Sequence, residues 1–236
     1  MLPAERKKQP DIDFSKMTYK EGAKAAWDCY IERNNSVIVD LFQGQFRNMT
    51  RCLRCGYESV TFDTFMYLTV PVGKSRTDLQ SCIENFCQTE KIEWRCDKCH
   101  VMGNATKDIT IWRLPHILVV ILKRFSYTGM WRDKITTFVD FPISNFRAVG
   151  GEVSWISNRE EGKVYRLFGV TNHTGTLEGG HYIGCARNPL SGDWFTYDDH
   201  VIRPMKAEQT RKKEAYLLFY TGLGERDDIK QLNFKG

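Results

Sequence analysis

Asn172-His173-Thr174-Gly175-Thr176-Leu177-Glu178-Gly179-Gly180-His181-Tyr182, followed by Trp194-Phe195-Thr196-Tyr197-Asp198-Asp199, is the stretch on which the reading of this chain turns. A nucleophilic thiol needs a neighbouring imidazole to take its proton, and that imidazole needs a carboxylate to fix its tautomer and orientation. His181 offers the imidazole, and Asp198 offers the carboxylate on what reads as an adjacent strand. Gly179 and Gly180 let the backbone bend sharply and come close to a bound peptide. A lone His after Gly-Gly is most often a loop residue, and a lone Asp-Asp a turn. Their combination, downstream of two cysteine couples, reads as the base half of a Cys–His–Asp hydrolase. A matching nucleophile segment is not obvious anywhere in the chain.

The couples are Cys52-Leu53-Arg54-Cys55 and Cys96-Asp97-Lys98-Cys99. Zinc favours four thiolates in a tetrahedron, and a tight turn with two residues between cysteines places two sulfurs about 4 Å apart on one metal. Two such turns at the tips of neighbouring hairpins would close a structural site. Arg51, Arg54, Arg95 and Lys98 flank the cysteines and would offset thiolate charge. The competing reading is a redox dithiol, but a redox pair opens a helix, whereas both couples sit among strand signals. His100 and His116 are possible ligands, although four sulfurs already fill such a site. Cys29, Cys82, Cys87 and Cys185 have apolar neighbours and read as buried thiols.

Composition narrows the class. The 236 residues suffice for one large domain or two small ones, and 42% hydrophobic with 13% aromatic residues describes a globular chain. Net charge is +5, with acids and bases mixed. The short runs Arg6-Lys7-Lys8 and Arg211-Lys212-Lys213 read as solvated surface, and no basic block interleaves with aromatics. That argues against nucleic acid as partner. No apolar run approaches the length of a membrane span, and the first residues lack the apolar core of a signal peptide. The expectation is no membrane partner and an intracellular location, cytoplasm and/or nucleus, where eight cysteines serve as ligands, buried thiols or catalysts rather than disulfides.

The organisation follows from periodicity. Residues 1–17 are polar, with Pro3 and Pro10, and read as a leader or linker, and 223–236 as a tail. Tyr19, Ala23, Ala26, Trp27, Tyr30 and Ile31 recur at helical spacing, which predicts a helix to Arg33. Ser36 could cap a second one over Val37–Phe42. From Gln45 the texture becomes that of strands. Thr61–Val70 reads as one strand stopped by Pro71, and Thr77-Asp78-Leu79-Gln80 as the capping pattern of a helix running towards Cys87. Further strands are predicted at Ile109–Leu114, Ile117–Phe125, Thr136–Phe141, Tyr165–Asn172, His181–Arg187, Trp194–Asp198 and Ala215–Thr221. The apolar run Ile117–Leu122 implies a strand covered on both faces. The class is α+β, mostly β.

Taken in order, these residues resemble the ubiquitin-specific protease family of deubiquitinating cysteine peptidases over roughly 18–222. The matching text includes Val39-Asp40-Leu41-Phe42-Gln43-Gly44-Gln45-Phe46, the cysteine couples and Leu68-Thr69-Val70-Pro71. It continues through Leu122-Lys123-Arg124-Phe125, the Gly179-Gly180-His181-Tyr182 box, the Asp198-Asp199 run and Ala215-Tyr216-Leu217-Leu218-Phe219-Tyr220. The resemblance implies a papain-like, hand-shaped α+β fold. Residues 18–44 would be the last thumb helices, 45–105 the zinc-tipped fingers that hold ubiquitin's globular part, and 106–222 the palm.

It also implies roles: Cys52, Cys55, Cys96 and Cys99 on a structural Zn2+, His181 as general base and then acid, Asp198 as its orienting carboxylate, and Asp199 in support. Gly179, Gly180 and Tyr182 would line the channel for the diglycine tail of ubiquitin or of ubiquitinated proteins. The family's Gly-Asn-Thr-Cys-type nucleophile box has no counterpart here, so most of the thumb is expected to be missing and no nucleophile is assigned. Cys29, in Trp27-Asp28-Cys29-Tyr30, lies mid-helix without an Asn to donate to an oxyanion. The expected function is thiol-dependent hydrolysis at ubiquitin's C-terminal glycine, by a C-terminal portion of the catalytic domain that is inactive alone. The alternatives are a catalytically inactive ubiquitin-binding module and, on the couples alone, a zinc-ribbon nucleic-acid binder.

Overall fold

A computed structural model describes residues 12–128, 131–147, 156–157, 163–176 and 179–222. The expected tail at 223–236 and most of the expected leader lie outside them. The helices are α1 (Tyr19–Asn34), α2 (Val37–Phe42) and α3 (Leu79–Phe86). The first eight strands are β1 (Gly44–Cys52), β2 (Glu58–Phe65), β3 (Leu68–Pro71), β4 (Thr77–Asp78), β5 (Glu90–Arg95), β6 (Met102–Arg113), β7 (Ile117–Lys123) and β8 (Phe125–Thr128). The others are β9 (Trp131–Lys134), β10 (Val139–Asp140), β11 (Phe146–Arg147), β12 (Val164–Gly175), β13 (Gly180–Arg187), β14 (Trp194–Asp198), β15 (Val201–Met205) and β16 (Ala215–Thr221).

Two sheets organise these strands. The first is antiparallel, in the order β2-β1-β6-β5, so the tips of the β1–β2 and β5–β6 hairpins lie side by side. The second runs β15-β14-β13-β12-β16-β7-β3, with β11 on β12, and is antiparallel except where β3 joins β7. Opposite Gln45 and Phe46, which pair with Arg113 and Ile111, β6 carries the extra residue Trp112, a register shift that bends it at the base of the first sheet. There Gly44 has no room for a side chain, because a Cβ would meet the Phe65 ring.

Both predicted N-terminal helices form. Thr18 and Glu21 exchange hydrogen bonds across the first turn of α1, and Ser36 accepts from the Val39 amide of α2 at 3.3 Å. Only Gly22 and Ala23 of α1 are buried. The helix is tied to the first sheet by Gln45 Nε2 donating to the Ala23 carbonyl at 2.9 Å and by the Arg113 guanidinium 4.2 Å from the Trp27 ring centroid.

The core lies between the large sheet and α3. Leu68, Val70, Leu79, Ile83, Leu118, Val120, Leu122, Val139, Tyr165, Leu167, Leu218 and Tyr220 are fully buried. Each such aliphatic side chain stabilises the fold by about 1.5–3 kcal/mol through the apolar surface it removes from water. In β7 the burial alternates, so Leu118, Val120 and Leu122 are sealed while Ile117, Val119 and Ile121 stay half-buried. The expectation of a strand covered on both faces is corrected to a strand with one sealed face.

Three further expectations change for local reasons. The predicted strand Thr61–Val70 is two strands, since the chain leaves the first sheet after Phe65 and enters the second at Leu68. The strand predicted over Thr136–Phe141 shrinks to Val139–Asp140, because the Thr137 and Ile135 carbonyls accept from buried Arg124 instead of a strand neighbour. The cap of α3 is Asp78, whose Oδ1 accepts from the Ser81 amide at 2.8 Å, while Thr77 pairs with Val139. Within 45–105, β3 belongs to the large sheet and α3 packs on it, while the sheet of β1, β2, β5 and β6 runs on to Arg113.

Candidate active site and metal centre

Cys52 ends β1 and Cys96 follows β5, and both couples close their hairpins with the same turn. The Gly56 amide donates to the Cys52 carbonyl at 3.0 Å, and the His100 amide to the Cys96 carbonyl at 2.8 Å. Gly56 (φ 71°) and His100 (φ 56°) hold equivalent left-handed positions, each directly after the second cysteine. His100 therefore has a conformational role in its turn, and His116 is far along the chain after β6. The sulfurs of Cys52, Cys55, Cys96 and Cys99 all lie within 4.8 Å of one another, with Cys55 Sγ 3.6 Å from Cys96 Sγ. A tetrahedron of Zn–S bonds near 2.3 Å sets its sulfurs about 3.8 Å apart, so the donor set fits zinc in kind and in spacing. The Cys55 amide aimed at Cys52 Sγ lowers that thiol, while hydrogen bonds from the other three thiols raise Cys55, so the four sulfurs share protons as one cluster.

The second cluster is at the open end of the β13–β14 pair. His181 is the second residue of β13, Asp198 ends β14, and His181 Nε2 stands 2.6 Å from Asp198 Oδ1 with both side chains partly open to solvent. With the carboxylate on Nε2, that nitrogen carries the proton, and Nδ1 is left as the free base. The hydrogen bond to Asp198 raises the His181 pKa, with the Asp198 and Asp199 charges adding to it against a smaller opposing effect of burial. Asp199 starts the two-residue turn into β15 at φ 51°, a left-handed conformation that Asp tolerates better than most residues, and it lies in the same cluster.

Asp198→Asn is accordingly expected to return the His181 pKa towards 6.5, measured by NMR titration of the His Cε1–H resonance. A raised folded-state pKa stabilises the fold fully below the unfolded value and loses that contribution as pH climbs through the folded value. The wild-type chain should thus lose stability relative to Asp198→Asn as pH rises from about 6 to 8. An unchanged His181 titration in the variant would contradict the assignment.

The glycines differ from one another. A Cβ on Gly179 would meet nothing, so this position borders open space, whereas a Cβ on Gly180 would collide with His173 Nε2. Tyr182 is exposed, with its ring centroid 4.6 Å from that of His173. Leu177 and Glu178, between the two halves of the motif, lie outside the described residues.

None of the other cysteines stands in the cluster. Cys82 and Cys185 are buried, and burial raises both thiols. Cys87 and Cys29 are only half-buried, which corrects the expectation for both, since Cys87 ends α3 and α1 buries little of its surface. Burial nevertheless pushes the Cys87 thiol up to about 12. Cys29 Sγ accepts from Arg33 Nη2 at 3.0 Å, one turn along α1. Sequence reasoning missed Arg124, Lys134 and the environment of His173. The signal available for His173 was its placement across the predicted hairpin from His181, eight residues away.

Comparison with known proteins agrees with this geometry. The family model described as ubiquitin carboxyl-terminal hydrolase matches residues 5–220. Ubiquitin carboxyl-terminal hydrolase 2 of Rattus norvegicus is 35% identical over 224 residues, covering 92% of this chain and 36% of that protein. Ubiquitin carboxyl-terminal hydrolase 21 of Homo sapiens is 34% identical over 218 residues, covering 89% of this chain and 38% of that protein. Among solved structures, Ubp8 in the SAGA DUB module bound to monoubiquitin superposes with a TM-score of 0.69 at 27% identity, over 83% of this chain and 45% of that one. The chain belongs to the ubiquitin carboxyl-terminal hydrolase family, as a ubiquitin-specific protease with the α+β fold of that group. It spans about a third of the length of the curated relatives it matches.

Proposed function

We propose that this chain provides the base, the orienting carboxylate and the ubiquitin-holding fingers of a thiol-dependent deubiquitinase. The observation that carries the reading is the His181–Asp198 contact on neighbouring strands of the large sheet, at the end of the hairpin that bears the two glycines. In this reading His181 Nδ1 takes the proton of an attacking thiol and returns it to the leaving amine, Asp198 holds the ring, and Asp199 supports the site. Gly179, Gly180 and Tyr182 border the path of ubiquitin's diglycine tail. Cys52, Cys55, Cys96 and Cys99 would hold a structural Zn2+, which locks the two fingertip turns together and takes no part in bond cleavage.

The attacking thiol is not among the eight cysteines of the chain. Four stand in the metal cluster, Cys82 and Cys185 are buried, Cys87 is held protonated, and Cys29 is engaged within α1. The enzyme's nucleophile is then supplied by other polypeptide packed on this one. A groove of about 1390 Å³ between α1 and β2, lined by Tyr19, Tyr57, Val60 and Phe62, contains no residue of the His181 cluster. We assign residues 18–44 to the end of a thumb, the sheet of β1, β2, β5 and β6 to the fingers, and the large sheet with α3 to the palm. No helix among the described residues is long and apolar enough to cross a membrane, and the free cysteines suit a reducing, intracellular compartment.

A fluorogenic amide of ubiquitin's C-terminus tests the reading. The chain alone is expected to show no turnover and no labelling by a ubiquitin bearing a thiol-reactive group. Turnover should appear when a thumb segment bearing a nucleophilic cysteine is joined to it. Robust hydrolysis by the chain alone, abolished by Cys29→Ala, would instead make Cys29 the nucleophile and overturn the proposal.

A further inference from the structure

Gly180 and Tyr182, the two chain neighbours of His181, both rest on one side chain. Successive residues of a strand face opposite sides, so Gly180 and Tyr182 point away from Asp198 while His181 points towards it. On that opposite side lies His173 of β12, only 5% exposed and paired in register with Tyr182. Its Nε2 and Cε1 occupy the space a Gly180 Cβ would need, and its ring lies 4.6 Å from the Tyr182 ring, centroid to centroid. The ring is packed on its remaining sides by Phe125 at 5.4 Å and Tyr216 at 6.2 Å.

The backbone of His173 is fixed as firmly. Its carbonyl accepts from Lys134 Nζ at 2.7 Å, and the same ammonium reaches the Gly175 carbonyl at 3.0 Å. Its amide donates to the Glu214 carbonyl at 2.9 Å. Among the described residues nothing pairs with its Nδ1, which is buried.

We propose that His173 is a positioning residue for His181: it grips Gly180 and Tyr182 from beneath and thereby sets where the His181 ring stands against Asp198. The proposal rests on the reading of His181 as the base. Lys134 anchors the strand from which the grip acts. The titratable side chains around the imidazole are Lys134, Tyr182 and Tyr216. Burial, with the Lys134 charge, lowers the pKa of His173, and its place on the face of β13 opposite Asp198 keeps it from competing for that carboxylate.

The test reads geometry through His181 itself. His173→Ala is expected to return the His181 pKa towards 6.5 in an NMR titration of the chain, because the raised value depends on the hydrogen bond to Asp198. Tyr182→Ala removes only half of the grip at an exposed position and is expected to give a smaller shift in the same direction. In the complete catalytic assembly, His173→Ala should lower kcat by about tenfold to hundredfold and move the acid limb of the pH–rate profile with the His181 pKa. If His173→Ala fails to fold, Tyr182→Ala decides alone. A His181 titration unchanged in every folded variant overturns the proposal. Shifted titrations in a protein that never gains hydrolase activity would sustain the positioning role and sink the functional reading instead.

Discussion

Cys96→Ser is expected to strip the chain of metal: zinc content measured by elemental analysis should fall from about one per chain to near zero. Apparent binding free energies for structural zinc run to about 10–16 kcal/mol, and a site that loses one of four thiolates keeps little of that. Cys96 is the appropriate probe because it is 1% exposed and its sulfur is 3.6 Å from Cys55 Sγ on the opposite hairpin, so it joins the two turns. Hydrogen-exchange protection should disappear from the turns after β1 and β5 in the variant. It should persist around Leu118, Val120 and Leu218, because the metal ligands are not part of that core. Cys82→Ser, a change at a buried thiol outside the cluster, should keep its metal. Stoichiometric zinc in Cys96→Ser would refute the assignment.

The second large effect concerns the base. In a catalytic assembly that contains the nucleophilic cysteine, His181→Ala should lower kcat by about 10²–10⁴-fold, the range associated with a positioned proton-transfer group. KM for a ubiquitin amide should change little, since His181 acts on the proton rather than on ubiquitin's surface. Asp198→Ala should lower kcat as well, by loosening the ring from the 2.6 Å contact that orients it. Steady-state kinetics decide the matter, and a His181→Ala assembly with wild-type kcat would remove this residue from the mechanism.

The parts of the site that the sequence made legible are those in which residue type and spacing together restrict the chemistry. Two residues between cysteines is a geometric statement about sulfurs on one metal, and the four sulfurs do come together. Gly-Gly-His-Tyr followed by Tyr-Asp-Asp placed an imidazole and a carboxylate on neighbouring strands, and β13 and β14 are paired. What stayed hidden depends on contacts made far along the chain. Arg124 looks like a surface residue beside Lys123, yet it is 1% exposed and donates to the carbonyls of Ala215, Ile135 and Thr137. Those bonds are what replace the strand expected at Thr136. The break between β2 and β3 was hidden for a different reason: Met66 and Tyr67 continue the β-rich composition while the chain changes sheets. His173 was written in the deciding stretch itself, but only the register of β12 on β13 puts its ring beneath both neighbours of His181.

The bulge at Trp112 of β6 and the crowded Gly44 across from it stand at one end of a long, thin arm. At about 3.4 Å per residue, β6 carries the arm roughly 37 Å from Arg113 to Met102, beside the cysteine turns. A rotation of about 10° at the base would therefore sweep the tips through roughly 6 Å, more than the diameter of a methyl group, with no change among the four cysteines. The base end is where such a rotation would be resisted, since Phe46 stacks there on Phe65 at 4.2 Å and meets Phe86 of α3 at 5.7 Å. The direction in which the cysteine turns point is therefore set by those three rings, roughly 37 Å away.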